Sequence, residues 1–390
     1  MPDHPIARLL RPGPRVVAGL MSGTSLDGVD AAVVRLEGSG TNVAVETLGF
    51  VGRPYGAPLR EALAACVEKA TSDVWLVSQL HARLGVHFAA AVRSALEDAG
   101  LEAADLDLVG SHGQTVHHVP RAVEVAEVAT RSTLQIGCPA EIAVALDVPV
   151  ISDFRSADLA LGGQAAPLAP YIDGAVFTHS SETRVLLNLG GIANLTVIPP
   201  GGPPRLAFDT GPANMVTDAL ALRLTGKPFD ADGALAAQGT PDEPLLADVL
   251  EAPFFLAPPP KSTGREDFGT PFVEWMVGRG PRDPADLMAT ATAFTARSVA
   301  DAIRRFVDPI PDRVIASGGG VHNPTLMRML AEALGPIPLE TTAGYGLDPD
   351  AKEAILFALL AHEWANGVRT GLPAVTGARQ RAFQGSLTLP

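Results

Sequence analysis

The chain is predicted to be an α/β protein of two lobes, and three observations carry that prediction. Its 390 residues exceed the size at which one core keeps growing. Apolar runs bounded by glycine alternate with helical patterns along its length. One plan, a strand entering a glycine turn and leaving as a strand, occurs twice about half a chain apart, at GLMSGTSLDGVD (19–30) and RVLLNLGGIANLTVI (184–198).

Taken in order, the strands are expected at 15–21, 29–36, 43–51, 106–111, 148–153, 184–190, 193–198, 205–209 and 313–318. Helices are expected at 57–69, 74–99, 139–146, 214–224, 285–307, 324–334 and 351–366. The first hairpin turns at Ser22, Gly23, Thr24, Ser25, Leu26, Asp27 and Gly28. Glycine lets the chain bend and lets another group approach its N–H donors, so this turn either holds phosphate or simply closes a hairpin. In helix 74–99, Leu76, Leu80, Leu84, Phe88 and Val92 form a core-facing stripe. In helix 285–307, Leu287, Phe294 and Ile303 face either the core or a second subunit, which leaves a homodimer open. The proline stretches at 199–204 and 258–260 read as surface turns.

Composition narrows the function. Hydrophobic residues make up 47% and charged residues 18%, as in a packed globular enzyme. A formal net charge of -14 argues against nucleic acid or an anionic membrane as partner. Cys66 and Cys138 have no CxxC spacing, so neither a disulfide framework nor a zinc site is expected. Pro2, Pro5, Pro12 and Pro14 break up the N-terminal stretch, and no apolar run nears the ~20 residues that span a bilayer. A soluble cytoplasmic protein is expected.

The second glycine turn, Gly190-Gly191, would face the first across a cleft and clamp a polyphosphate from both sides. That is the plan of two-lobed actin-like (ribonuclease H-like) phosphotransferases, and two unrelated hairpins are the plain alternative. A third turn, Gly318-Gly319-Gly320, precedes Asn323 and Pro324, which suit a helix start. Free amides there can hold an anion or a polar ring edge; a bare β–α junction fits as well. GxxxxGK[ST], GxGxxG and GxSxG are all missing, and DFG at 267–269 is a chance tripeptide.

Asp209, where the RLAF strand meets a Gly-Pro turn, is the first choice for a base; the alternative is a cap on the next helix. GSHGQT (110–115) follows a strand, where ligands gather in α/β sheets, which nominates His112 and Gln114 for substrate. His117 and His118 are read as structural or exposed. Arg155 suits a ligand carboxylate, with a salt bridge to Asp158 as the alternative, and Gln164 suits sugar hydroxyls. Lys261 and Arg265 could serve phosphate or a surface ion pair, and are read as partly buried structural cations. Glu353 starts the last long helix, where an acid suits the helix dipole in any case.

Together MSGTSLDGVD, GSHGQT, DFR with GGQ, NLGGIANL, FDTGP, KSTGRE, SGGG and VTGA resemble the anhydro-N-acetylmuramic acid kinase family, from residue 19 to about 378. The resemblance implies an actin-like fold with ATP as co-substrate and Mg²⁺. It implies hydrolysis of the 1,6-anhydro bond of anhydro-N-acetylmuramate with phosphorylation of O6, a step of cell-wall recycling. Asp209 falls on the family's catalytic aspartate and Ser22 to Val29 on its ATP segment. Gly163, Gln164 and Glu353 fall on sugar contacts. The lobes are expected at 1–155 plus 370–390 and at 156–369.

Three departures stand out. Met21 occupies the place where the wider actin-like class has an aspartate, so Mg²⁺ would rest on phosphate, water and acids such as Asp27 or Asp209. Ala165 and Ala213 replace glycines, which matters only if φ is positive. Of three arginines common after DF, only Arg155 remains. The other readings are an actin-like kinase for another sugar or carboxylate, and a non-catalytic sugar sensor. The sensor is disfavoured because Asp209 is present and no basic helix-turn-helix precedes the first lobe.

Overall fold

The computed structural model describes residues 6–9, 11 and 13–390, so Pro2, Pro5 and Pro12 lie outside the described residues. The chain forms two compact units, Met1–Val176 with Ala351–Pro390, and Phe177–Asp350.

In the first unit, β1 (Arg15–Ser22), β2 (Gly28–Glu37) and β3 (Ala44–Pro54) form an antiparallel meander. β4 (Leu108–Val125) lies parallel to β1, and β6 (Val150–Ser152) lies parallel to β4. β5 (Val128–Ile136) pairs back on β4, and β12 (Ser386–Thr388) closes the edge against β6. The strands read as near-continuous apolar runs because both faces are covered. On one face Ala18, Leu20, Ala31 and Val33 share a core with Leu84, Phe88 and Val92 of helix Val74–Ala99. On the other face lies helix Lys352–Ala365. Its close seat requires glycine. A Cβ on Gly19 would stand 1.9 Å from the carbonyl oxygen of Ala354, and one on Gly110 2.0 Å from that of Phe357. Gly19 and Gly110 are register partners, so the helix lies across a two-glycine floor.

The second unit repeats the plan. β7 (Arg184–Leu189), β8 (Ile192–Ile198) and β9 (Leu206–Pro212) form the meander, and β10 (Arg313–Ser317) and β11 (Leu339–Thr341) add parallel strands beside β7. Val185, Leu187, Leu195 and Val197 pack against Val299 and Ile303 of helix Pro284–Phe306 and Leu326 and Leu330 of helix Pro324–Leu334. A second cluster gathers Val216, Leu220, Phe255, Phe268, Met276 and Phe294. Leu287, Phe294 and Ile303 are therefore core residues within this unit.

The units divide at 176/177 and 350/351, where 155/156 and 369/370 were expected from sequence. The glycine floor seats helix Lys352–Ala365 on the first sheet, and two further contacts lie within the same unit. Buried Asp158 accepts a hydrogen bond from the Thr376 hydroxyl at 2.9 Å. Buried Lys352 lies 2.8 Å from Asp173, binding the helix's first turn to helix Pro170–Phe177.

Among the described residues no helix is long and apolar enough to cross a membrane.

Candidate active site

The Ser22–Gly28 turn is fastened from beneath. The Ser22 hydroxyl, almost wholly buried, lies 2.6 Å from both the Tyr55 hydroxyl and Gln114 Oε1, and 2.9 Å from the Gly28 carbonyl oxygen. Gln114 Nε2 donates to the Gly23 carbonyl at 2.8 Å. The Gln114 side chain is thus spent on the turn, and Tyr55, which sequence reasoning did not single out, is its third fastener. Val29 is buried in the core, and a Cβ on Gly28 would meet the Arg53 carbonyl oxygen at 2.6 Å. Leu26 adopts φ 59 at the turn. What remains open is Gly23, Thr24, Ser25 and Asp27; the nearest atom to a Cβ on Gly23 is Ser25 Oγ at 3.7 Å. Ser25 donates to Asp27 Oδ1 at 2.6 Å.

The second turn behaves alike. Cβ atoms on Gly190 and Gly191 would meet nothing closer than 3.5 Å and 3.8 Å, and neither residue has a left-handed φ. Folding therefore does not demand glycine here. The Gly190 carbonyl accepts from the Asn214 N–H, and the Gly191 carbonyl from those of Ala213 and Met215. In the third turn, Gly318 (φ 83) and Gly320 are required by packing on Leu189, while Gly319 is open. Asn323 uses its side-chain oxygen to cap helix Pro324–Leu334 through the Leu326 N–H.

Asp209 lies inside β9, opposite Asn194 on β8, because the strand continues through Pro212 where the sequence suggested an end. It does not cap the next helix, whose N-cap is Ala213. Its Oδ2 accepts the Thr263 N–H at 2.9 Å, and its own N–H donates to the Lys261 carbonyl. Burial pushes its carboxyl up to about 6; the Thr263 bond opposes this and the Glu266 charge adds to it. Lys261 is turned inward, donating to the carbonyls of Phe254 and Phe255 and lying 4.7 Å from the Phe254 ring centroid.

The expected sugar residues separate into two groups. Gly163 is held by packing, since a Cβ would meet Asp158 Oδ2 at 2.1 Å. Both His112 ring nitrogens are engaged, with Gly113 O at 2.8 Å and Arg155 Nε at 3.0 Å. Burial, chiefly, pushes its pKa down to about 3. Arg155, Gln164 and Glu353 keep free polar atoms. Arg155 does not pair with Asp158, which instead accepts the Ala165 N–H and the Thr376 hydroxyl. Arg155 donates to His112 and the Ala165 carbonyl, both neutral, and among the described residues no carboxylate lies within ion-pair distance. Burial lowers its pKa to about 10, and Glu353 offsets part of that. Gln164 has an exposed side chain, anchored through its N–H to the Thr376 carbonyl. Glu353 is solvent-accessible although protein packed around it raises its carboxyl, as in a recess; Lys352 and Arg155 pull it back. Ala165 has φ 58 and shapes this turn, whereas Ala213 is not left-handed.

A family model, anhydro-N-acetylmuramic acid kinase, matches residues 15–390. The chain belongs to this family. It is 53% identical over 383 residues to the anhydro-N-acetylmuramic acid kinase of Salinibacter ruber, covering 96% of each chain. It is 42% identical over 393 residues to that of Caldanaerobacter subterraneus subsp. tengcongensis, covering 98% of this chain and 99% of the relative. Membership in a family of anhydro-N-acetylmuramic acid kinases makes the chain a phosphotransferase with an alcohol acceptor. Among solved structures, (R)-2-hydroxyglutaryl-CoA dehydratase component A of Acidaminococcus fermentans aligns with a TM-score of 0.46 at 13% identity, over 90% of this chain and 99% of that one.

Among the described residues no group of three His, Cys, Asp or Glu side chains forms a metal cage. Asp27 sits in the first glycine turn, where it accepts from Ser25, and Asp209 sits on β9, one oxygen of its carboxylate accepting the Thr263 N–H.

Proposed function

We propose that the chain uses MgATP to open the 1,6-anhydro bond of 1,6-anhydro-N-acetylmuramate and phosphorylate O6, giving N-acetylmuramate 6-phosphate for cell-wall recycling. The observation that carries the reading is Asp209. It is a half-buried carboxylate with a pKa near 6, fixed at one oxygen, in register on the strand beside the open Gly190-Gly191 turn. A base works best when its pKa lies near the working pH.

Asp209 takes a proton from water as the water oxygen bonds to the anomeric carbon. The C1–O6 bond breaks and its electron pair stays on O6. O6 then bonds to the γ-phosphorus, the bond from phosphorus to the bridging oxygen breaks, and ADP leaves. One binding geometry thus serves two displacements. In the first unit the Gly23–Asp27 turn, and in the second the Gly190-Gly191 and Gly319 turns, are each uncrowded enough to receive a phosphate oxygen, and Mg²⁺ arriving with the nucleotide would neutralise phosphate charge. Thr24, Ser25 and Asp27 complete the nucleotide turn. Arg155, a crowded cation facing only neutral acceptors, takes the lactyl carboxylate. Gln164 and Glu353 take sugar hydroxyls.

The test is ATP consumption with 1,6-anhydro-N-acetylmuramate, with the product weighed by mass spectrometry. The wild type should yield a sugar heavier by one water and one phosphoryl group. Asp209→Asn should keep its melting temperature and lose turnover by about 10²- to 10⁴-fold, the usual worth of a general base. A phosphorylated product that retains its anhydro ring refutes the coupled reaction.

A further inference from the structure

We infer that His112 is a positioning residue that sets substrate selectivity by holding Arg155 in one orientation as a neutral Nδ1–H imidazole. The inference rests on Arg155 binding the sugar's carboxylate.

The hydrogen-bond pattern assigns the tautomer. A backbone carbonyl can only accept, so the nitrogen 2.8 Å from the Gly113 oxygen carries the proton. Arg155 Nε–H can only donate, so His112 Nε2 is the bare nitrogen that receives it at 3.0 Å. An imidazolium would place two N–H donors face to face at that contact. Burial first, and then the nearby Arg155 charge, hold the ring neutral.

The ring has little freedom to move. His112 is 4% exposed, and its ring lies 4.7 Å from that of Phe357, on the helix seated over the glycine floor. Gly113, at φ 79, has the Ile136 carbonyl 2.9 Å from where its Cβ would stand. The imidazole is thereby fixed by backbone, ring packing and hydrogen bond together. At the other end of the guanidinium, Nη1 donates to the Ala165 carbonyl at 2.5 Å. Two vertices of a planar group are pinned, which fixes its plane and leaves Nη2 for a ligand oxygen. A carboxylate gains most from a donor whose orientation is set before binding. Without His112 the arginine keeps its charge and loses its direction.

Two polar substitutions separate the roles. In His112→Gln, Oε1 can occupy the place of Nε2 and accept from Arg155. In His112→Asn, the shorter amide reaches Gly113 and falls short of Arg155. KM for 1,6-anhydro-N-acetylmuramate and for ATP would be measured with both variants, alongside melting temperatures. His112→Asn should raise the sugar KM about 10- to 100-fold, as loss of a hydrogen bond to a charged group would, with the ATP KM within about 2-fold. His112→Gln should return the sugar KM to within about 5-fold of wild type. Equal damage by Asn and Gln, or parallel rises in both KM values, would show a merely structural histidine. Failure of the wild type to turn over the sugar at all would instead remove the proposed function.

Discussion

Gly191→Ala should leave the protein folded and weaken its grip on nucleotide. A methyl group at 191 would meet Met215 Cε at 3.8 Å and Met215 Cβ at 3.9 Å, which is ordinary contact, and the residue's φ lies outside the left-handed region. Where the backbone suits alanine, Gly→Ala typically stabilises by about 0.4–1 kcal/mol through the unfolded chain. Bound phosphate is another matter. If the amide gives a hydrogen bond to a phosphate oxygen, the added methyl occupies the approach. Losing one bond to a charged group costs about 1.5–3 kcal/mol, or about 10- to 150-fold in Kd. Thermal unfolding would read the first effect and calorimetric titration with a non-hydrolysable ATP analogue the second. Gly320→Ala is the contrast, since its Cβ would stand 2.6 Å from Leu189 Cβ and should lower the melting temperature outright. A Gly191→Ala protein of native stability that binds the analogue as tightly as wild type would refute the reasoning, because the glycine would then serve neither fold nor ligand.

Other outcomes follow from the same geometry. The kcat/KM profile should show an acid limb near pH 6, rising as Asp209 loses its proton; a profile flat from pH 5 to 8 would remove it as base. Glu363 is buried, accepts the Gly40 N–H at 2.6 Å, and its carboxyl is raised by burial. Its folded pKa exceeds the unfolded one, so its contribution is present below the unfolded value and lost as pH rises through the folded one. Glu363→Gln should therefore gain in melting temperature relative to wild type as pH rises from 5 to 8, and a constant difference would contradict this. Tyr55→Phe removes the hydroxyl beside Ser22 and should cost about 0.5–1.5 kcal/mol in stability, measured by denaturant unfolding, while raising the ATP KM.

Local pattern made the strands readable, since both meanders are apolar runs closed by glycine. It failed where tertiary contact decides. The strand was expected to stop at Asp209 because Gly and Pro are poor strand formers, but pairing of Gly211 with Ala193 and of Pro212 with Ile192 carries it on. The hairpin of β4 and β5 was missed beyond residue 111, since its tip is largely exposed, Val123, Val125 and Val128 included, and packs no core. The unit boundary depends on Gly19 and Gly110 receiving a helix from the far end of the chain, which no local window contains. Motif spacing nominated the site residues but not their division of labour. Ser22, Gln114 and His112 turn their polar atoms toward other protein groups, and only three-dimensional pairing separates them from Arg155 and Gln164.

The two-glycine floor also has a bearing on synthesis. Phe177–Asp350 is an insertion within a unit built from both ends of the chain. On the ribosome the inserted part can complete its own sheet while Gly19 and Gly110 still present bare backbone to solvent, since their covering helix begins only at Lys352. Maturation of the first unit therefore waits for a helix made after the whole insertion, and a nascent chain stalled before Ala351 would hold a finished insertion inside an unfinished host.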